Sequence, residues 1–178
     1  MIIIKELLEK LEWWHGIERN TNSNLRLIII NSKFEKEIIM KVLVSACITG
    51  CNCKYNGGNN LNPRVVEFLK DKEIIEICPE MLAGMNIPRA SAEIVDGCVI
   101  ECNGRNVHRE YEKGIELALE KIKDENIDLA ILQSRSPTCG VNQIYDGNFS
   151  GKLIKGRGLF AKVLIKNGYK VIDSEDIR

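Results

Sequence analysis

The stretch SACITGCNCKYNGG, residues 45–58, sets Cys47, Cys51 and Cys53 between an apolar run and a glycine-rich turn. Three thiols in seven positions can ligate a soft metal, exchange disulfides or fill small core gaps. Their spacing alone does not choose. The chain has seven cysteines, an odd number that cannot pair fully within it. Position is more informative. Cys47 directly follows the strand-like run VLVSA, Cys78 closes IIEIC, and Cys139 lies in QSRSPTCGV after LAILQ. Each of three separate strands thus delivers a cysteine at its carboxyl end. Open parallel sheets bind ligands at that edge. Buried structural cysteines have no reason to collect there, so Cys47, Cys78 and Cys139 are read as one shared site. Glu80, two residues past Cys78, reaches the same place; its bland reading is a solvated loop carboxylate. Ser136, Thr138 and Gly140 surround Cys139 with donors, and Pro79 and Pro137 stiffen the two loops.

Soft thiolates select zinc, copper(I) or iron–sulfur clusters. Structural zinc shows close CxxC pairs and four complete ligands. Here one CxxxC and one CxC occur with no matching second pair, and His15 and His108 stand in unrelated contexts. Three dispersed thiolates favour an iron–sulfur cubane with one open iron over zinc. Cys53 is a sulfur acceptor, a spare ligand or a pocket wall. Cys51 has weaker claims, and Cys98 and Cys102 read as structural.

The elements that must position these residues follow from periodicity. Residues 40–178 read as the main domain. Val42–Val44, Ile74–Cys78, Asp128–Leu132 and Tyr169–Ile172 are apolar strands. Residues 62–70 form a helix with Pro63 at its first position and Val65, Val66 and Leu69 inward. Val107, Tyr111, Ile115, Leu119 and Ile122 mark a long amphipathic helix, and Leu159–Asn167 a helix closed by Gly168. Residues 93–103 are a pair of short strands or an irregular excursion. Strands alternating with helices at crossover spacing imply an α/β three-layer sandwich around a mostly parallel, Rossmann-like sheet. Residues 1–39 read as an extension, a helix over 5–14 and a strand over 25–30. Its Trp13 and Trp14 are packing anchors or base-stacking platforms.

Length and 44% hydrophobic content suit one domain with a real core. Basic and acidic residues balance at 25 each, which argues against a globally basic nucleic-acid binder. No apolar stretch is long enough for a membrane span, and MIIIKELLEK turns charged too early for a secretory leader. The expected location is the cytoplasm.

Three segments, KVLVSACITGCNCKYNGG, EICPEMLAGMNIPRASAEI and LAILQSRSPTCGVNQIYDGNFSGKLIKGRGLFAKVLIKNGYKVI, closely resemble the thiouracil desulfurase family over residues 40 to about 175. The combination of VSAC, CPE, SRSPxCG and IYDGxFSG carries the resemblance. It implies a [4Fe–4S] cluster held by Cys47, Cys78 and Cys139 with one open iron. It also implies chemical roles for Glu80 and Ser136, and matches Cys53 to a second cysteine found in many relatives. Asn56 stands where an aspartate is common, and residues 93–105 are shorter than the family leads one to expect.

The expected activity is hydrolytic, non-redox removal of sulfur from a thiolated uracil base or nucleoside, of the 2-thiouracil or 4-thiouridine type, releasing sulfide. Ser136 is expected to hold Glu80 or orient water. The alternatives are a persulfide sulfur transferase using Cys53, or a metal-containing RNA-binding module. Expected partners are a thiolated pyrimidine base, nucleoside or tRNA, with no membrane, for a monomer or homodimer. A tRNA substrate has only a weak sequence hint, since Glu35 and Glu37 interleave with Lys33, Lys36 and Lys41.

Overall fold

The two central parallel strands are short and apolar at VLV (42–44) and LAIL (129–132), as strands buried on both faces must be, while the edge strand EIIEI (73–77) carries two glutamates and is mostly exposed. A computed structural model describes residues 39–178. The helix and strand expected within 1–39, with Trp13, Trp14 and His15, lie outside the described residues. Strand β1 is Lys41–Ser45, β2 Glu73–Ile77, β5 Leu129–Leu132 and β8 Val171–Asp173. They form one sheet in the order β2-β1-β5-β8, and every pair in it is parallel. Helix α1 (Pro63–Leu69) joins β1 to β2. The short α2 (Pro79–Leu82) and long α3 (His108–Ile122) lie between β2 and β5. Helix α4 (Leu159–Lys166) joins β5 to β8.

The sheet steps from β1 outward to β2, then back across β1 to β5 and on to β8. Crossovers of parallel strands are right-handed, so reversing direction puts the helices on opposite faces. The two cores obey this. Leu43, Ala130 and Leu132 face Ile115, Ile122, Phe160 and Leu164 of α3 and α4. Val42, Val44, Leu129 and Ile131 face Val65 and Leu69 of α1. The result is the expected three-layer α/β sandwich. The reversal between β1 and β5 is the switch point, where loops diverge and leave a crevice at the carboxyl edge.

Local chemistry accounts for the helix ends. Asn62 caps α1, its side-chain oxygen accepting from the backbone N–H groups of Arg64 and Val65, and Pro63 opens the first turn. Val66, expected inward, is 38% exposed. The buried stripe of this seven-residue helix runs through Val65 and Leu69, and the next residue is turned about 100° from it. Gly168 follows α4 in the left-handed region, as expected.

Two antiparallel ribbons complete the domain. β3 (Ala92–Val95) and β4 (Cys98–Glu101) form a hairpin across Asp96 and Gly97, both at positive φ. The excursion at 93–103 is therefore a strand pair. β6 (Gln143–Tyr145) and β7 (Leu153–Lys155) form a second ribbon that periodicity does not reveal. No helix among the described residues is long and apolar enough to cross a membrane.

Candidate functional site

Parallel strands put all their carboxyl ends at one edge, and each cysteine is held there by a different local device. Cys47 sits in a 3-10 turn, Ala46–Thr49, that directly continues β1. The loop beyond folds back on this turn: the N–H of Asn60 donates to the Cys47 carbonyl at 2.8 Å, and that of Asn62 to Ile48. The Asn60 side-chain amide also points its nitrogen at the Cys47 sulfur, 3.9 Å away. Cys78 follows β2 as the residue capping α2, with Pro79 in the first helical position.

Cys139 lies seven residues beyond β5, in a loop clamped onto the start of α4. The first N–H groups of a helix have no partner within it. Here those of Gly158, Leu159 and Phe160 donate to the carbonyls of Gly140, Pro137 and Thr138. Gly158 permits this approach, since a Cβ there would lie 2.4 Å from the Thr138 carbonyl. Gly114 of α3 does the same for the Cys78 loop, where a Cβ would lie 2.2 Å from the Pro79 oxygen. These two contacts hold two of the three thiol loops against the helical layer.

The three thiols line one cavity of about 850 Å³, which Cys53, Glu80 and Ser136 also line. All six residues singled out in the sequence are therefore brought together. Cys51 does not line this cavity, while Cys102, expected to be structural, is exposed and does. Cys98 is half-buried on β4 and does not line it.

Glu80 is buried, not a solvated loop carboxylate. The Cys78 thiol donates to its Oε2 at 3.3 Å, and the Thr138 hydroxyl donates to its Oε1 at 2.6 Å. Ser136 is engaged differently from expectation. Its hydroxyl oxygen accepts the backbone N–H groups of Thr138 and Cys139, both at 3.1 Å, and so shapes the cysteine loop. The hydroxyl that holds Glu80 is that of Thr138. Arg89 was not foreseen. Its guanidinium is nearly buried, 4.0 Å from Glu80 Oε1, and both terminal nitrogens reach the Cys53 carbonyl at 3.4 Å. The backbone N–H of Arg89 donates to Tyr55, so this residue ties the Cys53–Tyr55 loop to the cavity wall. No spacing rule picks it out, because the contact spans separate loops.

The electrostatics suit a cationic guest. The Cys53 thiol is pushed up to about 12, chiefly by hydrogen bonding to Cys47, with burial adding and Cys78 opposing. Cys78 is raised far above an ordinary thiol by its hydrogen bond with Cys53, then burial, then the charge of Glu80. Burial foremost, then Glu80, raises Cys139. The protein alone thus keeps these thiols protonated. A bound metal group inverts that preference and displaces the protons. Among the described residues, no three His, Cys, Asp or Glu side chains close on a position for a single ion. A tetrahedral zinc draws its sulfurs to about 2.3 Å from one point. The thiols that line the cavity form a soft, all-sulfur donor set, which suits a thiophilic group such as an iron–sulfur cluster.

The sequence matches the family model described as 2-thiouracil desulfurase over residues 42–176. The chain belongs to this family. A Bacillus subtilis (strain 168) protein named "Uncharacterized protein YbbK" is 34% identical over 146 residues, covering 76% of this chain and 97% of that one. A solved structure described as the [4Fe–4S]-dependent thiouracil desulfidase TudS is 30% identical, with a TM-score of 0.72 over 78% of this chain and 93% of that one. This likeness supports an iron–sulfur cofactor for the desulfurase fold. It also corrects one expectation. Hydrolytic, non-redox sulfur removal gives way, because the solved relative is described by its dependence on a [4Fe–4S] cluster. The comparison favours the alternatives, which rest on sulfur transfer or on a metal centre.

Proposed function

We propose that the chain is a [4Fe–4S]-dependent desulfidase that acts on the thiocarbonyl of a thiolated pyrimidine base or nucleoside. The observation that carries this reading is the meeting of Cys47, Cys78 and Cys139 in one cavity at the carboxyl edge of the sheet. These three would hold the cluster, leaving one iron open. When bound, the cluster supplies a thiophilic Lewis acid for the substrate sulfur.

The chain's own residues prepare the rest. Glu80 places a carboxyl group beside the thiols, and its hydrogen bond from Thr138 leaves Oε2 as the oxygen turned toward Cys78. That oxygen is the atom at which a proton is taken up or released. Arg89 stands over the same carboxyl and braces the backbone at Cys53. Ser136 orients the Cys139 loop through two backbone N–H groups. Cys53, buried and hydrogen-bonded to both Cys47 and Cys78, walls the cavity beside two of the proposed ligands.

Anaerobic reconstitution with iron and sulfide, followed by sulfide assays on 2-thiouracil, 4-thiouridine and thiolated tRNA in parallel, tests the reading. Release from the base or nucleoside is expected. Protein that takes up zinc but no iron, or that is fully loaded and releases no sulfide from any of the three, sinks it. Tight, salt-dependent tRNA binding without sulfide release identifies an RNA-binding module instead.

A further inference from the structure

The loop joining β6 to β7 carries Phe149 with φ at +54°, a region that bulky side chains rarely occupy. The surroundings hold it there. Oε2 of Glu93, a buried carboxylate on β3, accepts the backbone N–H groups of Gly147 at 2.9 Å and of Phe149 at 3.1 Å. Asp146 accepts from the N–H of Asn148 and the hydroxyl of Ser150, which hold its carboxyl below the usual range. Gly147 presses on β3 so closely that a Cβ would lie 2.6 Å from the Ile94 carbonyl. The loop is therefore tightly fixed, yet it does not fold its one large apolar side chain inward. Phe149 is 38% exposed and lines the same cavity as Cys47, Cys78 and Cys139.

An aromatic side chain on a fixed backbone, left partly open to the cavity that holds the candidate cluster ligands, suits a flat, partly polar ring as its guest. Aromatic side chains stack on nucleobases through their π faces, whatever the base's hydrogen-bonding pattern. We propose that Phe149 is the stacking platform for the pyrimidine ring of the thiolated substrate, and that Glu93 is the positioning residue that fixes it. This rests on the desulfidase reading and adds to it the group that makes the site prefer a ring over any other thiocarbonyl compound.

The test compares wild type, F149L and F149Y, each reconstituted anaerobically. Leucine keeps apolar bulk and removes the π face; tyrosine restores it. Two readouts are used: steady-state sulfide release from 2-thiouracil and from thiourea, a thiocarbonyl compound without a ring, and calorimetric titration with uracil, which needs no turnover. F149L is expected to raise KM for 2-thiouracil and weaken uracil binding by roughly 5- to 150-fold, the usual range for loss of one base stack. Its iron content should match wild type, F149Y should recover most of the loss, and thiourea should suffer far less. Unchanged uracil affinity in F149L, or an equal loss on thiourea, overturns the proposal. Absence of sulfide release by wild type sinks the desulfidase reading alone, and the uracil titration then decides the platform by itself. E93A should reproduce the weakened uracil binding by freeing the loop, and unchanged affinity there overturns the role given to Glu93.

Discussion

The Thr138 hydroxyl donates a 2.6 Å hydrogen bond to Oε1 of Glu80, joining the loop of Cys139 to the loop of Cys78. Both groups are buried. Replacing Thr138 by valine keeps its shape and leaves Oε1 without this donor. Leaving a buried acceptor unsatisfied costs about 1–3 kcal/mol. T138V should therefore lower the rate of sulfide release by roughly 5- to 150-fold with the iron content retained, while T138S stays near wild type. Equal rates in T138V and wild type would remove this bond from the chemistry.

Cys47, Cys78 and Cys139 should behave as a set. Serine at any one of them is expected to reduce iron uptake and visible absorbance after reconstitution, together with sulfide release. Full iron and unaltered absorbance in one variant would release that position from the ligand set.

Cys53 separates two routes for the departing sulfur. C53A should keep its iron. If sulfur is handed to this thiol, turnover collapses in C53A, and wild-type protein trapped during turnover carries one extra sulfur on Cys53 by mass spectrometry. Forming that persulfide removes two electrons, so a disulfide-class oxidant must be supplied in the assay. Normal turnover in C53A excludes the transfer route.

Gly114 sets the spacing between α3 and α2. An alanine there drives its Cβ into the Pro79 carbonyl. Backbone cannot give way as a flexible side chain does, and overpacking of this kind costs about 1–3 kcal/mol, occasionally more. G114A should lower the midpoint of urea unfolding accordingly, and an unchanged midpoint would show that α2 is free to shift.

Asp173 provides a pH signature of its own. Burial foremost, aided by Asp176 and opposed by the Ser134 hydrogen bond and by Arg135, raises its carboxyl above the usual range. Its folded-state pKa therefore exceeds the unfolded one, and the native state binds the extra proton between them. Stability falls as pH rises from about 3.9 through the folded value, and the penalty is complete at neutral pH. In D173N the side-chain oxygen can still accept from Ser134 and from the N–H of Glu175, which now meet Oδ1. The variant should show a flatter dependence of unfolding free energy on pH across that window, measured by urea titration at several pH values. An identical slope would exclude Asp173 as its source.

The meeting of Cys47, Cys78 and Cys139 was legible because strand direction is a global property. Once apolar runs alternate with helices, every strand end falls on a known edge. Thr138 as the partner of Glu80 was not legible, because their contact depends on how far each loop travels after leaving its strand. The contacts of Ser136 were not legible for the same reason: it lines the cavity, yet its hydroxyl oxygen accepts two backbone N–H groups of its own loop. The ribbon of β6 and β7 escaped notice because three-residue strands show no periodicity, and with it went Phe149. Arg89 was hidden because a guanidinium that braces a backbone carbonyl leaves no pattern in spacing.

The sheet order β2-β1-β5-β8 also fixes when the site can exist. Its first thiol follows the first described strand, and its last comes only after β5 has been laid beside β1. A chain still emerging from the ribosome holds at most an unfinished cradle until most of the domain is out. A cluster held by all three thiols would therefore be loaded only after the chain has passed Cys139.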